Sequence, residues 1–165
     1  MISKKDSVDM ILQQWEQERP DLDASPMGII GRISRLERKI DPQLSATFRK
    51  FGLERWSFDV LAALRRSGRP YRLTPTELFK SLMLTSGAMT HRIDCLEELG
   101  LVERLEDPTD RRGTLVSLTR NGKTVIDLAI VAHVKNEAKM IRAIGPEERK
   151  LLANLLRKLL QELER

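Results

Sequence analysis

The stretch from Thr74 to Lys123, TPTELFKSLMLTSGAMTHRIDCLEELGLVERLEDPTDRRGTLVSLTRNGK, decides how this chain is read. Thr74-Pro75-Thr76-Glu77 opens a helix: Thr74 supplies the cap, Pro75 suits the first helical position and Glu77 closes a capping box. A second helix is expected from its N-cap Thr85 to Leu99, where Gly100 stops it. Its apolar face is Met89, Ile93, Leu96 and Leu99. Strands at 101–105 and 114–118 then flank a tip carrying Asp110-Arg111-Arg112-Gly113. A helix with a polar leading turn, followed by a basic hairpin, is the layout of a winged helix-turn-helix. In that layout the second helix enters the major groove and the hairpin tip follows the backbone or minor groove. Binding of double-stranded DNA is therefore the first functional expectation.

The residues expected to touch DNA follow from this layout. Ser86, Gly87, Thr90 and His91 fall away from the Met89/Ile93/Leu96 face. Small and hydroxyl residues at a helix start donate to phosphates and bases, and the helix N-terminus favours phosphate. Thr85 and Thr74, at the starts of the two helices, join this set, as do Asp110, Arg111 and Arg112 at the tip. The bland alternative for the helical residues is a solvated polar face.

Outside this stretch the chain reads as helices. Val8, Ile11, Leu12 and Trp15 form one stripe, which the run from Pro20 to Asp23 breaks. A longer helix is expected over 26–51, with Ile30, Ile33, Leu36, Ile40, Leu44 and Phe48 on one side. Pro42 predicts a kink near Ile40-Asp41, and Gly52 a stop. A further helix covers 55–66 and ends at Ser67-Gly68. After the hairpin, Thr119 caps a helix running to about Ile144, and Gly145-Pro146 separates it from a last helix over 147–164. That last helix carries Leu151, Leu152, Leu155, Leu156, Leu159, Leu160 and Leu163, a broad stripe for a surface helix. Helices at both ends of a central module suggest a homodimerisation platform; packing within one chain is the alternative.

The expected fold is mainly α with a small β-hairpin wing. It divides into an N-terminal extension helix at 1–24, a first dimerisation helix at 25–51, a DNA-binding lobe at 52–122 and C-terminal dimerisation helices at 123–165.

Composition bounds the function. The 165 residues hold 41% hydrophobic residues, enough for a core. The excess of 29 Lys+Arg over 24 Asp+Glu, a net charge of +5, fits a polyanionic partner. No apolar run reaches the roughly 18–20 residues that span a bilayer, and the first residues lack the pattern of a signal peptide. A cytoplasmic protein acting on the nucleoid, with no membrane partner, is expected. Cys95 is the single cysteine, so no internal disulfide framework exists, and it is read as packing inward. His91 and His133 have no metal-ligand spacing. No glycine-rich phosphate loop, metal motif or nucleophile turn is visible, so neither an enzyme nor a cofactor is expected.

From Leu101-Val102-Glu103-Arg104 through Asp107-Pro108-Thr109-Asp110-Arg111-Arg112-Gly113 to the strand ending at Thr119, the sequence resembles the MarR family of winged-helix regulators. The resemblance covers nearly the whole chain. It implies a homodimer that binds an inverted repeat, represses transcription and is released by a small ligand. It also implies that Asp110 braces the wing and that Arg112 or Arg111 enters the minor groove. The family usually has arginine where this chain has Thr109, which removes one backbone contact.

A narrower resemblance lies in the segment Trp15 to Asp23 together with Asp59, Arg92 and Arg104. This set is similar to the urate-responsive branch of the family, and it implies urate or a related purine as effector and an efflux transporter gene as target. Taken singly, these residues have other readings. Arg92 sits at the edge of a buried face and needs a carboxylate, a phosphate or an anionic ligand. Arg104 shares a strand face with Val102, an inward one. Asp59 pairs with Arg55 one turn away, or with Arg92 or Arg104. Trp15 is either core or a ring that stacks on a purine. Alternatives to the urate-responsive repressor are a repressor answering to a phenolic ligand or an oxidant, and a protein-interaction module. The Arg111-Arg112 tip argues against the last.

Overall fold

The computed structural model describes residues 4–82, 86–108, 110 and 113–165. Thr85, Thr109, Arg111 and Arg112 lie outside the described residues, as do the side chain of Ser86 and the surroundings of Gly87. The chain divides into two compact units, residues 1–43 and 44–165.

In the first unit, α1 (Ser7–Glu18) starts at a capping box that the sequence did not advertise. Asp6 Oδ1 accepts the Val8 and Asp9 N–H groups at 2.7 and 3.0 Å, and Asp9 Oδ2 accepts the Asp6 N–H at 2.8 Å. These bonds, led by the Asp9 N–H, together with Arg32 lower the Asp6 carboxyl to a pKa of about 2. The next helix, α2 (Ser25–Arg49), continues through Pro42 without a break. Two small residues on α2 let α1 come close. A Cβ at Gly28 would lie 3.2 Å from Leu12 Cδ1, and one at Gly31 would lie 3.6 Å from Val8 Cγ1. Arg32 fastens the pair by donating to Asp6 at 2.9 Å and Asp9 at 2.6 Å, and Arg35 donates to Ser7 Oγ at 2.7 Å.

The second unit holds α3 (Arg55–Arg66), β1 (Arg72–Leu73), α4 (Pro75–Leu82), α5 (Ser86–Glu98), β2 (Val102–Glu106), β3 (Thr114–Leu118), α6 (Arg120–Met140) and α7 (Pro146–Leu163). Thr74 and Glu77 form the expected capping box: the Glu77 N–H reaches Thr74 Oγ1 at 3.2 Å, and the Thr74 N–H reaches Glu77 Oε2 at 2.8 Å. Thr119 likewise caps α6, accepting the Gly122 N–H at 2.9 Å.

The core gathers Leu61 and Leu64 of α3, Leu78 of α4, Ile93 and Leu96 of α5, Val102 and Val116 of the sheet and Ile126 of α6. Each such side chain contributes roughly 1.5–3 kcal/mol relative to exposure. This common core holds α5 and the hairpin in place.

Three expectations change, and one alternative falls away. The sheet has three antiparallel strands in the order β1-β3-β2, because Arg72 and Leu73 pair with Ser117 and Val116. Leu99 does not join the buried face and is 57% exposed. Gly100 at φ 64° reverses the chain just after it, and Leu101 enters the core in its place, its N–H bonded to the Leu96 carbonyl at 2.9 Å. The helix after the wing ends at Met140, with a turn before Gly145. On α7 no residue is buried, and its leucines are between 41% and 83% exposed, so the stripe does not pack within one chain.

Candidate nucleic-acid interface and effector site

The helix-turn-helix is built on α4 and α5. Met89, Ile93 and Leu96 are buried, which turns Thr90 and His91 outward on the opposite side of α5. Cys95 was expected to face inward. It is half-buried, with its sulfur 3.7 Å from Nε2 of the exposed His91, because position 95 lies about a third of a turn off the buried line. At the base of the wing the Asp107 N–H donates to the Gly113 carbonyl at 3.1 Å, and the Gly113 N–H donates to the Asp110 carbonyl at 2.8 Å. Asp110 thus takes part in the hairpin tip through its backbone. A Cβ at Gly113 would come within 2.9 Å of the Asp107 side chain and 3.1 Å of the Asp110 carbonyl, which favours glycine there.

The expected effector residues are placed as follows. Asp59, on α3, is half-buried. Burial raises its carboxyl pKa, and the charges of Arg55, Arg66, Arg92 and His133 act against that rise. Arg92, on α5, is partly buried, and its guanidinium carbon lies 5.8 Å from the centroid of the Trp56 ring. So charged or titratable groups of α3, α5 and α6 all act electrostatically on one carboxylate.

Arg104 is placed differently from the inward strand face expected of it. It is exposed on β2 and donates to both Asp94 and Glu97 of α5, and its N–H reaches Glu97 Oε1 at 3.1 Å. An arginine at a sheet surface finds carboxylates on the neighbouring helix without being desolvated, whereas burial would demand a fully enclosed partner. Trp15 belongs to the first unit and is 38% exposed, so it is not a core residue there.

Three neighbours of this site escaped the sequence reading. Asp94 and Glu97 hold Arg104, and Trp56 holds Arg92. Trp56 precedes Asp59 by three positions on one helix, a spacing that places both on one face and was visible in the sequence. His133 packs tilted against the stacked rings of Phe48 and Phe58, at ring-centroid distances of 5.2 and 4.9 Å, and pairs with Glu137 at 3.2 Å.

A family model described as the MarR family matches residues 51–113, from the turn before α3 to the wing. The HTH-type transcriptional regulator PecS of Dickeya dadantii (strain 3937) is 40% identical over 146 residues, covering 88% of each chain. The chain belongs to the MarR family. Two solved MarR family structures are similar as well. A mutant MarR from E. coli complexed with operator DNA has a TM-score of 0.71 at 27% identity, covering 94% of this chain and 99% of its own. A MarR family transcriptional regulator from Streptomyces coelicolor, in complex with DNA, has a TM-score of 0.77 at 26% identity, covering 86% and 93%. Helices α4 and α5 and the β2–β3 hairpin are the elements of the MarR winged helix-turn-helix. The protein is a helix-turn-helix transcriptional regulator, not an enzyme. No helix of the described residues is long and apolar enough to cross a membrane.

Proposed function

We propose that this MarR family DNA-binding regulator is a homodimeric repressor that binds a palindromic operator and is released by urate or a related anionic purine. The observation that carries the reading is the two-sided use of α5. That helix presents Thr90 and His91 outward and Arg92 back towards α3, within the electrostatic reach of Asp59. A ligand that takes Arg92 therefore acts on the same helix that reads DNA. Ser86, Gly87 and Thr85 at its start, Thr74 at the start of α4, and Asp110, Arg111 and Arg112 at the wing complete the proposed DNA contacts.

Urate is an anion at neutral pH, and a guanidinium pairs with a planar anion through two parallel hydrogen bonds. Half-buried Asp59 would repel that anion when ionised and hydrogen-bond to it when protonated. Arg104 can join such a site only by leaving Asp94 and Glu97. Trp15 is assigned to it by resemblance alone.

A dimer is supported by the bare leucine face of α7 and by exposed Leu128, Val131 and Val134 on α6. In a two-fold dimer the recognition helices meet successive major grooves about 34 Å apart. Such a regulator works on the nucleoid, in the cytoplasm.

The test is a urate titration of the protein bound to its own upstream DNA, beside a neutral purine. Release by urate alone is the expected result. Binding without release would discard urate and keep the regulator.

A further inference from the structure

Trp56 is not among the buried residues of α3. It is partly exposed on the face of α3 that also carries Asp59, and the Arg92 guanidinium of α5 lies over its ring at 5.8 Å. We propose that the Trp56 indole is the ring-stacking surface for the effector, covered by the Arg92 guanidinium in the conformation seen here and vacated when a heteroaromatic anion draws that guanidinium to its own edge. This rests on the effector reading above and deepens it by naming the surface and the class of ligand.

The argument is one of competition for a single face. A guanidinium is planar and lies on an indole much as an aromatic ring does, so the two cannot occupy that face together. A flat anion offers both what the indole takes, a π-face, and what the guanidinium takes, an anionic edge. When that edge binds Arg92 in the plane of the ligand ring, the guanidinium swings off the indole and the ring replaces it. The second interaction is stronger than the first, because a charge-assisted bidentate pair exceeds an exposed cation–π contact.

A neutral purine can stack but gives Arg92 no anion to move to, so it leaves the indole covered. Arg92 stands on α5 three residues after buried Met89 and one before buried Ile93. Its release from Trp56 therefore removes one contact that ties the recognition helix to α3. Asp59, one turn beyond Trp56 on the same helix, borders the same surface.

The chain has two tryptophans, which makes the test direct. The 165-residue protein is labelled with 5-fluorotryptophan and titrated with urate while fluorine NMR is recorded. The Trp56 resonance is identified by its loss in Trp56→Phe. In parallel, calorimetry gives urate affinities for wild type, Trp56→Phe and Trp56→Leu. The expected result is a saturable shift of the Trp56 resonance with urate and none with a neutral purine. Affinity should fall about ten-fold in Trp56→Leu, or about 1.4 kcal/mol, and remain within about three-fold in Trp56→Phe, which keeps a stacking ring.

Saturable urate binding with an unmoved Trp56 resonance would overturn the proposal and leave the effector reading intact. So would a shift with unchanged affinity in Trp56→Leu, since the indole would then sense Arg92 without holding the ligand. If Trp56→Leu does not fold, the wild-type resonance and Trp56→Phe still decide. Absence of urate heat in wild type would remove the effector reading and this proposal with it.

Discussion

Arg65 Nε donates to Asp127 Oδ1 at 2.6 Å, tying α3 to α6, while Lys123 Nζ donates to Oδ2 of the same carboxylate, also at 2.6 Å. Both cations lie against the Tyr71 ring, at 4.8 and 5.9 Å from its centroid. One carboxylate thus holds two cations that share one aromatic ring, where α3, β1 and α6 meet. Each side chain of the ion pairs is 35–40% exposed, so solvent and salt screen the network.

This network gives stability a pH dependence of definite sign. The bond from Lys123, and then that from Arg65, holds the Asp127 pKa below its usual value of 3.8. A depressed carboxylate contributes stability above its unfolded pKa and loses it as pH falls through the folded value. Thermal midpoints measured from about pH 6 down to about pH 3 should fall less steeply for Asp127→Asn than for wild type. Adding about 1 M salt should narrow the difference between the two proteins at pH 6.

Gly122 is a position where any side chain would be fatal to local packing. A Cβ there would land inside the Leu101 carbonyl, which itself accepts the Thr119 N–H at 3.2 Å. Backbone cannot yield as a flexible side chain does, so Gly122→Ala should destabilise by about 3 kcal/mol or more. Urea unfolding would show it as a lower midpoint. A midpoint within error of wild type would mean that α6 does not approach Leu101 as described.

The two leucines at the end of α5 should separate cleanly. Leu96 is fully buried, so Leu96→Ala should cost about 2–5 kcal/mol and weaken operator binding by loosening the recognition helix. Leu99 is 57% exposed, and Leu99→Ala should stay within about 0.5 kcal/mol in the same denaturation experiment.

At the wing, Arg112→Ala should weaken binding to every DNA sequence to a similar degree. The slope of log affinity against log salt should become shallower by about one. Operator titrations at four or five salt concentrations measure it, and parallel lines for the two proteins would take Arg112 away from the phosphates.

Much of the fold was legible because its signals are local. Thr74 with Glu77, and Thr119 with the Gly122 N–H, are contacts across three residues, and cap chemistry written in the sequence reappears at those bonds. Met89, Ile93 and Leu96 follow a helical period, which selected the buried side of α5 and hence the outward side that carries Thr90 and His91. Leu99 fits the same spacing but fails, since helical phase does not say where the helix ends or where the chain turns. The pair Arg72–Leu73 is too short to show any period, so the third strand was invisible until β3 lay beside it.

The site divides in the same way. The sequence by itself determined the helix-turn-helix, the cap of its first helix, the leucine stripe of the last helix and, through resemblance, Trp15, Asp59, Arg92 and Arg104 as residues to examine. Only the tertiary structure decided that Arg104 is held by Asp94 and Glu97 while Arg92 lies on Trp56, 36 positions away in the chain. Secondary-structure signals act within a turn or a strand, where backbone geometry fixes which residues meet. The choice among several carboxylates and rings for one guanidinium is made by how packed helices bring distant side chains together, and no local pattern records that.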